Sequence, residues 1–465
     1  MSKINFLVKY FKICFLGIVF LFLNSCKEKV NDNSIFFGGQ IINPTSNYLI
    51  LHKNNTTIDC LLLDSKNRFK KSFNNLTPGI YKLEHIPEYQ TIFLEPGDSL
   101  WVRANAAEFK QSIVFSGRGS SKNNFLMDME INIENENNFL SSKYSLESNL
   151  FSKIIDSLVL QKKNQWKLMD SINKLTQFAQ KVTMASYVYP YGTRRERYAL
   201  LRGTNWNTSK DSVYFNYRQF LNLEETDLAF FDPYIDYALN FLNEKSLDSS
   251  NYYFQIKQKT FFNIKRLQVL ENKIKGRELK NNLARAIAYD EILNFDNHSE
   301  HDNFLQYYFA VNSNTKFLGE VLNLHNDIKK MYTGSSLPEI PIQNSQLDTV
   351  SSNILFNNKS TVIYFWSQSQ MNHYRETLRI IEEIKIDKPE YRYVGISIQP
   401  FNQMALEVNE ILKQNVDDQF AIINFKNASK KWIITLLNKA IVIDNNGKII
   451  NGFANVFDSS FANEL

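Results

Sequence analysis

One stretch decides the fold of the C-terminal part of this chain: Thr361-Val-Ile-Tyr-Phe-Trp-Ser-Gln-Ser-Gln-Met-Asn-His-Tyr-Arg-Glu376. The apolar run from Thr361 to Trp366 is rich in β-branched and aromatic residues, which is typical of a buried strand. A short polar turn follows, and apolar residues such as Leu378 and Ile381 then share one face of a helix over about 371–386. A strand, a tight turn and an amphipathic helix in this order predict an α/β domain.

The rest of the C-terminal segment continues this alternation. Tyr391–Ile398 is a near-continuous apolar strand of the buried parallel kind, and a second predicted helix over about 402–414 leads to the strand Gln419–Ile423. Ala440–Ile450 has the pattern of two strands joined by an Asn-Gly hairpin turn. Strand–helix units followed by a terminal hairpin are typical of a thioredoxin fold, which we place in residues 336–465.

The N-terminus has the pattern of a targeting sequence. Three lysines accompany an apolar run from Ile13 to Leu23, which is too short for a stable transmembrane span. The run ends close to Cys26, and polar residues follow at once. This resembles a bacterial lipoprotein signal, in which residues 1–25 are removed, Cys26 becomes the lipidated (palmitate-bearing) first residue, and residues 26–33 form a tether. The alternative is an uncleaved anchor in which Cys26 has no role.

Either interpretation places the body of the protein outside the cytoplasm, and the lipoprotein signal predicts the outer membrane of a Gram-negative cell envelope. Loss of residues 1–25 removes three lysines and no acidic residue, which lowers the formal net charge from +5 to +2. A nearly neutral chain gives no reason to expect a nucleic-acid partner. We expect a lipid anchor in the membrane and an envelope protein or peptide as partner.

The cysteines limit the redox chemistry that this chain can perform. The sequence has three, Cys14 in the signal, Cys26 at the predicted lipidation site, and Cys60. The mature chain would keep one free thiol, which cannot form an internal disulfide or run a dithiol cycle. Cys60 lies in the apolar run Thr57–Leu63, so we predict a buried structural thiol.

Residues 34–118 have the pattern of an antiparallel β-sandwich. Short apolar runs alternate with turn signals such as Pro78-Gly79. The predicted strands are Tyr48–Leu51, Ile58–Leu63, Tyr81–Leu83, Thr91–Leu94, Leu100–Val102 and Ile113–Phe115.

The same segment resembles the domain that precedes thioredoxin-like domains in many outer-envelope lipoproteins. The shared elements are Gly39–Asn43, Pro78–Tyr81, Leu94–Ser99 and Phe115–Gly119. Two polar residues in these elements, Asp98 and Arg118, could bind a ligand, but a role in forming a turn or capping a helix is favoured for both.

Residues 119–335 lose this strand pattern and show apolar residues at spacings of three and four, which predicts a helical domain of about six to eight helices. The clearest periodic segments are Leu150–Leu175, Leu221–Leu242 and Phe261–Leu293. Pro190 and Pro233 are placed near helix boundaries.

Two polar clusters in the helical domain could carry a function. The first cluster contains possible metal ligands, but a metal site would need three or four of them to converge, with further residues holding them in place. An interhelical loop without metal is therefore favoured for this cluster. That cluster is His298, Glu300, His301 and Asp302. The second joins Tyr187–Tyr191 to Arg194–Tyr198, where a helix cap packed on its own aromatic residues is favoured over an aromatic and basic binding surface.

Gly334–Ile342 has the composition of a linker. In secreted thioredoxin-like proteins a Pro-containing lead of this kind precedes a β-hairpin. The resemblance places the turn of that hairpin at Leu355–Lys359.

The C-terminal domain resembles the extracytoplasmic thioredoxin-like family of TlpA type. Phe365-Trp366 matches the pair before the redox turn, and Glu376 matches the acidic residue three positions after the second cysteine. Val394–Ser397 matches the next strand, and Ile443–Ile449 matches the terminal hairpin. The resemblance implies an ancestor that reduced or isomerised disulfides through Cys-x-x-Cys at a helix N-terminus, where the helix dipole stabilises the thiolate.

Other residues occupy the family's reactive positions in this chain. The first cysteine falls on Gln370 and the second on His373. The cis-proline facing the redox turn falls on Asn438, and the proline that kinks the helix falls on Leu378. A cis bond before a non-proline residue costs about 2.5–4 kcal/mol, so we predict a trans bond from Leu437 to Asn438 and an altered groove.

A replacement chemistry at this locus is the less favoured interpretation. His373 would lie about one turn into the helix, where the positive dipole end disfavours its protonation. A neutral His373 beside Glu376 or Tyr374 could act as a base, and Ser367 and Ser369 are available, but no oxyanion arrangement can be read from the sequence. A polar helix cap is favoured.

These observations predict an envelope lipoprotein of three parts that has kept a thioredoxin-like fold and lost its redox chemistry. The leading hypothesis is a non-catalytic pseudoenzyme that binds a protein or peptide, or acts as a scaffold, without cofactor or metal. The alternatives are a thiol-disulfide oxidoreductase by lineage and an accessory or sensor lipoprotein of an outer-membrane uptake system.

The degenerate redox positions are Gln370, Met371, Asn372, His373 and Asn438. The predicted contact surface is Trp366, Gln370, Asn372, His373, Tyr374 and Asn438.

Overall fold

The computed structural model describes residues 34–202, 213–247, 259–294, 299–356, 359–463 and 465. Cys26, the predicted signal and the tether lie outside these ranges. Within them, the chain forms two N-terminal sheets, a helical middle part and a C-terminal mixed sheet. None of the helices in the described ranges is both long and apolar enough to cross a membrane.

The N-terminal part is a sandwich of two four-stranded sheets. Its strands are β1 (Ile35–Ile42), β2 (Tyr48–Lys53), β3 (Thr56–Leu62), β4 (Arg68–Phe73), β5 (Gly79–His85), β6 (Glu88–Leu94), β7 (Ser99–Asn105) and β8 (Val114–Arg118). A short helix, α1 (Phe109–Ser112), precedes β8. The sheet orders are β4-β1-β7-β8 and β3-β2-β5-β6, and their facing sides enclose a core that includes Phe37, Leu49 and Leu83.

The prediction of a purely antiparallel sandwich is wrong at one pair of strands. β1 runs parallel to β7, with Phe36 opposite Ser99. Parallel neighbours need a long connection, and five strands lie between these two in the sequence. Gly39 permits the close pairing, because a Cβ there would lie 2.3 Å from the carbonyl oxygen of Val102.

Cys60 was predicted to be buried, and this prediction is also wrong. Its side chain lies on the exposed face of β3, whereas the neighbouring Leu61 is buried. Successive side chains of a strand point to opposite faces, so an apolar run does not say which of its members is buried.

The middle part contains eight α-helices within the described ranges, whereas about six to eight were predicted for the whole of residues 119–335. They are α2 (Ser120–Ser141), α3 (Ser148–Asn173), α4 (Gln177–Arg202), α5 (Asp232–Ser246), α6 (Lys259–Lys273), α7 (Arg277–Ile292), α8 (His301–Val311) and α9 (Thr315–Lys329). The periodic segment that begins at Leu221 becomes α-helical only at Asp232, where Pro233 occupies the first turn of α5.

Pro190 lies inside α4 and not at a helix boundary, contrary to the prediction. An interior proline costs about 3 kcal/mol, and packing on both sides of Pro190 offsets it. Tyr187 and Tyr191 are buried, and Arg194 forms a 2.7 Å ion pair with Glu136. The aromatic and basic cluster is therefore neither a cap nor a free surface, but the packed interior of α4.

The C-terminal part is a seven-stranded mixed sheet with three helices. The strands are β9 (Pro341–Gln343), β10 (Thr349–Ser351), β11 (Thr361–Trp366), β12 (Arg392–Ser397), β13 (Gln419–Ile422), β14 (Lys439–Ile443) and β15 (Ile449–Asn455). The helices are α10 (Met371–Asp387), α11 (Gln403–Ile411) and α12 (Phe425–Lys431). The sheet order is β10-β9-β13-β12-β11-β14-β15. Parallel β11, β12 and β13, followed by antiparallel β14 and β15, make this domain thioredoxin-like.

The lead hairpin of this domain was predicted with its turn at Leu355–Lys359, which is wrong. The hairpin is β9–β10, and its turn is closed by Asn344, whose Oδ1 accepts hydrogen bonds from the backbone N–H groups of Gln346 and Asp348. Residues Ser352–Phe356 form a 3₁₀ turn instead. The predicted Asn-Gly turn between β14 and β15 is present, with Gly447 at a positive φ of 77°.

A single apolar core joins the helical part to the C-terminal sheet. Leu283 of α7 and Met331 after α9 belong to the same buried cluster as Ile363 and Phe365 on one face of β11. The opposite face of β11 packs against α10. This arrangement holds the turn after β11 in a fixed position relative to the rest of the chain.

Candidate functional site

The turn between β11 and α10 lies where the resemblance to TlpA-type proteins places their redox turn. It runs from Ser367 to Gln370, and α10 begins at Met371. Gln370 is the N-cap residue, but its side chain makes no capping hydrogen bond to the helix. The predicted role of a polar helix cap is therefore wrong for Gln370, because its side chain is engaged elsewhere.

A buried hydrogen-bond network holds this turn from behind. Ser367 Oγ lies 2.9 Å from Ser369 Oγ and accepts a 2.8 Å hydrogen bond from Gln399 Nε2. The backbone N–H of Gln368 donates to Gln399 Oε1 at 3.0 Å, and Gln368 Nε2 donates to the carbonyl of Pro400 at 2.7 Å. These bonds fix the turn through neutral groups, so its shape does not depend on a disulfide or a thiolate.

Glu88, at the start of β6, contacts the same turn from the sandwich. Its Oε1 accepts hydrogen bonds from Ser369 Oγ at 3.0 Å and from Gln370 Nε2 at 3.1 Å. Sequence reasoning missed Glu88, and no local pattern could have found it, because the partners are more than 280 residues apart in the chain. Gln370, a residue of the predicted contact surface, is thus hydrogen-bonded within the chain, although its side chain remains exposed.

Trp366 and Tyr374 were predicted as contact residues, and both are buried. Their rings stack at a centroid distance of 4.2 Å and an angle of 8°. The Tyr374 hydroxyl donates to Asn409 Oδ1 at 2.9 Å, and burial raises the pKa of Tyr374. Both residues stabilise the packing of α10 on the sheet and cannot touch a partner.

His373 lies in the first turn of α10 with its ring half-buried. The ring centroid lies 5.1 Å from that of Phe457, and Nδ1 lies 3.4 Å from Thr377 Oγ1. Burial lowers the pKa of His373, which favours the neutral ring.

The partners considered for a histidine base are engaged elsewhere. Glu376 is exposed and pairs with Arg379 at 2.7 Å, and this hydrogen bonding lowers the pKa of Glu376. Tyr374 bonds to Asn409, as described above. Neither residue forms a hydrogen bond with His373 within the described ranges, so the site has no acid–base pair.

A cavity of about 600 Å³ opens beside His373. Gln370, His373 and Asn438 line it together, so the structure brings three of the predicted site residues to one surface. The peptide bond from Leu437 to Asn438 is trans. Asn372 is exposed and bonds to Arg375, and Met371 packs partly against the core behind α10; neither lines this cavity.

The remaining walls of the cavity are mostly apolar. They comprise Pro87, Tyr89, Ile398, Phe425, Ile434, Thr435, Leu436, Leu437 and Phe457. Leu436 is 65% exposed and Tyr89 is 58% exposed, which leaves apolar surface open to a ligand. Pro87 and Tyr89 come from the sandwich, so the N-terminal domain completes a site that the sequence placed in the C-terminal domain alone.

Lys439, directly after Asn438, is a second residue that sequence reasoning missed. Its side chain is buried, with Nζ 4.4 Å from the centre of the Phe453 ring. Burial lowers the pKa of Lys439 to about 7. The continuous apolar run of β14 begins only after Lys439, so the sequence pattern gives no sign that the lysine side chain is buried.

The predicted histidine cluster does not form a metal site in the described part of the chain. His298 lies outside the described residues. His301 and Asp302 lie in the first turn of α8 and not in a loop, contrary to the prediction. His301 Nε2 lies 3.1 Å from the carbonyl of Asn294, and Asp302 lies 3.1 Å from His325. No three His, Cys, Asp or Glu side chains converge as metal ligands within the described ranges.

No protein-family model matches the sequence, and no curated protein matches it. Among solved structures, the chain is similar to the thioredoxin domain of a thiol-disulfide oxidoreductase from Bacteroides vulgatus, at 22% identity and a TM-score of 0.23. That match covers 26% of this chain and 86% of the other. The chain is also similar to a thiol:disulfide interchange protein from a Bacteroides species, at 22% identity and a TM-score of 0.21, over 26% of this chain and 80% of the other. Because these likenesses are partial, we assign the thioredoxin-like fold from the strand order described above.

Proposed function

We propose that this chain is a lipid-anchored protein of the Gram-negative cell envelope whose thioredoxin-like domain binds a protein or peptide without thiol chemistry. The anchor is proposed from the sequence around Cys26, and the outer membrane from the same signal. The binding role is proposed from the cavity beside His373.

The cavity is the observation that carries the proposed binding role. Its volume of about 600 Å³ lies in the range of ordinary ligand sites, and its walls combine exposed apolar side chains with a few polar groups. Leu436 and Phe457 offer apolar contact, while His373 and Asn438 offer hydrogen bonds. Such a surface suits an apolar side chain of a peptide together with its main-chain amide groups.

The residues at the site support binding and not redox exchange. Gln370 and His373 carry no sulfur, and Cys60 is the one cysteine within the described ranges. Cys60 lies on β3 of the sandwich and does not line the cavity. Exchange of a substrate disulfide needs an attacking and a resolving thiol, which this site lacks.

The test is binding of the purified mature chain to an array of peptides drawn from envelope proteins. Leu436→Asp places a charge at the lip of the cavity, where desolvating a carboxylate opposes apolar contact. We expect this variant to bind the best peptides at least about tenfold more weakly, a change of about 1.4 kcal/mol.

Ile386→Asp provides the matched control. Ile386 is 80% exposed and lies near the other end of α10, about 20 Å from His373 along the helix. Both substitutions change an exposed apolar residue to aspartate, so they affect stability and surface charge alike. Equal loss of binding in both variants, or no loss in Leu436→Asp, would refute the proposed site.

A further inference from the structure

A second and larger recess, here called the sandwich cleft, lies next to the cavity. It has a volume of about 1290 Å³ and opens between the outer face of sheet β3-β2-β5-β6 and the N-terminal end of α12. Phe230 and Arg285 from the helical part close one side, so all three parts of the chain contribute. Ligand sites occur preferentially at such domain interfaces, and this volume exceeds the range of about 300–1,000 Å³ that is usual for one small molecule.

Most of the charged side chains in the walls of the sandwich cleft already have a partner within the chain. His52 pairs with Glu84 at 2.6 Å and Lys82 with Asp232 at 2.9 Å. Arg285 pairs with Glu320 at 2.7 Å. A charged ligand would have to compete with one of these pairs, whereas an uncharged ligand leaves all of them intact.

Lys426 is the exception among the charged residues of the cleft. It is exposed and forms no ion pair within the described ranges. An exposed, hydrated lysine contributes little to a binding site. The electrostatics of the cleft therefore favour an uncharged ligand.

The two inner strands that face the cleft, β2 and β5, offer side chains and no free backbone edge, whereas the edge strands β3 and β6 contribute Thr57, Cys60 and Tyr89 to its walls. β2 and β5 are the inner strands of their sheet, with Ile50 opposite both Cys60 of β3 and Glu84 of β5. Glu84 is opposite Tyr89 of β6, so each inner strand is paired on both sides. A peptide cannot add to β2 or β5 as a further strand, so an extended peptide finds no main-chain partners on these two strands.

The groups on this face include aromatic rings, carboxamides and hydroxyls, together with the exposed thiol of Cys60. Tyr48 and Tyr89 lie on the same face as Glu84, since alternate residues of a strand share a face and Glu84 lies opposite Tyr89. Asn47 and Asn54 are exposed at the ends of β2, and their side chains form no hydrogen bond within the described ranges. Carboxamides offer both donors and acceptors, and tyrosine rings offer flat apolar faces.

We propose that the sandwich cleft binds an uncharged oligosaccharide. Sugar rings present hydroxyl groups that pair with carboxamides, and C–H faces that pack on tyrosine rings. A chain of several sugar units suits the volume of about 1290 Å³ better than a single small molecule does. The sandwich cleft adjoins the peptide cavity, and Tyr89, Ile398 and Phe425 form walls of both.

The test is native electrophoresis of the full mature chain through gels that contain one polysaccharide each. The neutral probes are starch, dextran, xylan, β-glucan and galactomannan, and the charged probe is polygalacturonate. We expect at least one neutral polysaccharide to retard the protein. Tyr48→Leu removes a ring and a hydroxyl, and Asn47→Ala removes an exposed carboxamide; each should weaken the retardation at least about threefold.

Tyr307→Leu is the matched control for Tyr48→Leu. Tyr307 is 42% exposed on α8, outside the cleft, and this variant should be retarded like the wild type. Asn47→Ala changes an exposed side chain without hydrogen bonds, so it keeps the test valid if Tyr48→Leu fails to fold.

The proposal is overturned if no neutral polysaccharide retards the protein, or if polygalacturonate alone does so. It is also overturned if Asn47→Ala and a correctly folded Tyr48→Leu are both retarded as strongly as the wild type. Leu436→Asp separates the two sites, since it should weaken peptide binding and leave polysaccharide retardation unchanged. Loss of peptide binding in Asn47→Ala would instead show that the sandwich cleft holds peptide, which also contradicts the proposal.

Discussion

At the scale of single residues, Asn438 and Lys439 are adjacent in the chain and lie in different environments. The peptide bond before Asn438 is trans, and Asn438 lines the cavity. Lys439 follows with a buried amine that lies over the Phe453 ring and forms no ion pair within the described ranges. Burial disfavours the ammonium form, and this lowers the pKa of Lys439 to about 7.

This pKa predicts a pH-dependent stability. The unfolded chain binds a proton on Lys439 up to the ordinary value of 10.5, while the folded chain releases it from about pH 7. The unfolded state therefore binds more protons between these values, and the free energy of unfolding rises as the pH increases from 7 towards 10.5. Below about pH 7 both states are protonated, and the full penalty of the buried charge remains.

We predict that Lys439→Met raises the free energy of unfolding at pH 7 on the order of 2–4 kcal/mol and flattens its rise between pH 7 and 10. Urea unfolding at pH 6, 8 and 10 measures both effects. Lys430→Met, at an exposed position on α12, is the control and should change neither. A destabilised Lys439→Met protein, or an unchanged pH profile, would contradict the assignment.

At the scale of elements, the β5–β6 hairpin of the sandwich is docked against the turn before α10. Glu88 accepts hydrogen bonds from Ser369 and Gln370, and Pro87 and Tyr89 form a wall of the cavity. The hairpin thus fixes the turn and limits access to it from the sandwich side.

We predict that Glu88→Ala increases amide hydrogen exchange in the turn Ser367–Gln370 and lowers the free energy of unfolding by about 0.5–1.5 kcal/mol. The physical reason is the loss of the shared acceptor of two side-chain donors. Hydrogen exchange measured by mass spectrometry should show the change in this turn. Glu410→Ala removes an exposed carboxylate on α11 and serves as the control; equal exchange in the two variants would contradict the role of Glu88.

The elements were largely predictable from local patterns, and the exceptions have physical causes. The buried strands β11 and β12 and the amphipathic helix α10 have strong apolar patterns, and the structure contains all three. β4 was not predicted, because Arg68-Phe-Lys-Lys-Ser-Phe73 is a charged edge strand, and charge is how exposed edges are protected. Pro190 was misplaced, because packing overrode a local helix-breaking preference.

The candidate site was only partly predictable, because its walls come from distant parts of the chain. Gln370, His373 and Asn438 were found through the family resemblance and do meet at the cavity. Trp366 and Tyr374 were wrongly predicted as contact residues, because the sequence does not distinguish an aromatic side chain packed in the core from one exposed at the surface. Tyr89 and Glu88 belong to a different domain, and only tertiary structure brings them to the site.

At the scale of the whole molecule, the three parts form one assembly. The helical part shares an apolar core with the C-terminal sheet, and Lys82–Asp232 and the Glu88 contacts join the sandwich to both. The cavity and the sandwich cleft lie at these junctions. Binding at either site would therefore restrain the domains relative to one another.

The proposed anchor is tested on the whole cell. We predict that the wild-type chain incorporates labelled palmitate and fractionates with membranes, because Cys26 follows an apolar run of signal-peptide length. Cys26→Ala should lose the label, whereas Cys60→Ala should keep it. An unlabelled wild-type protein would refute lipidation.

The central claim is that the thioredoxin-like domain binds its partner without a thiol. The most direct measurement is the dissociation constant of the strongest array peptide for wild-type and Cys60→Ala mature chains, measured by calorimetry without reductant. We predict values within about twofold of each other, a difference of about 0.4 kcal/mol, and no covalent adduct on a non-reducing gel. Loss of binding in Cys60→Ala, or a mixed disulfide between the wild-type chain and a cysteine-containing form of the peptide, would contradict it.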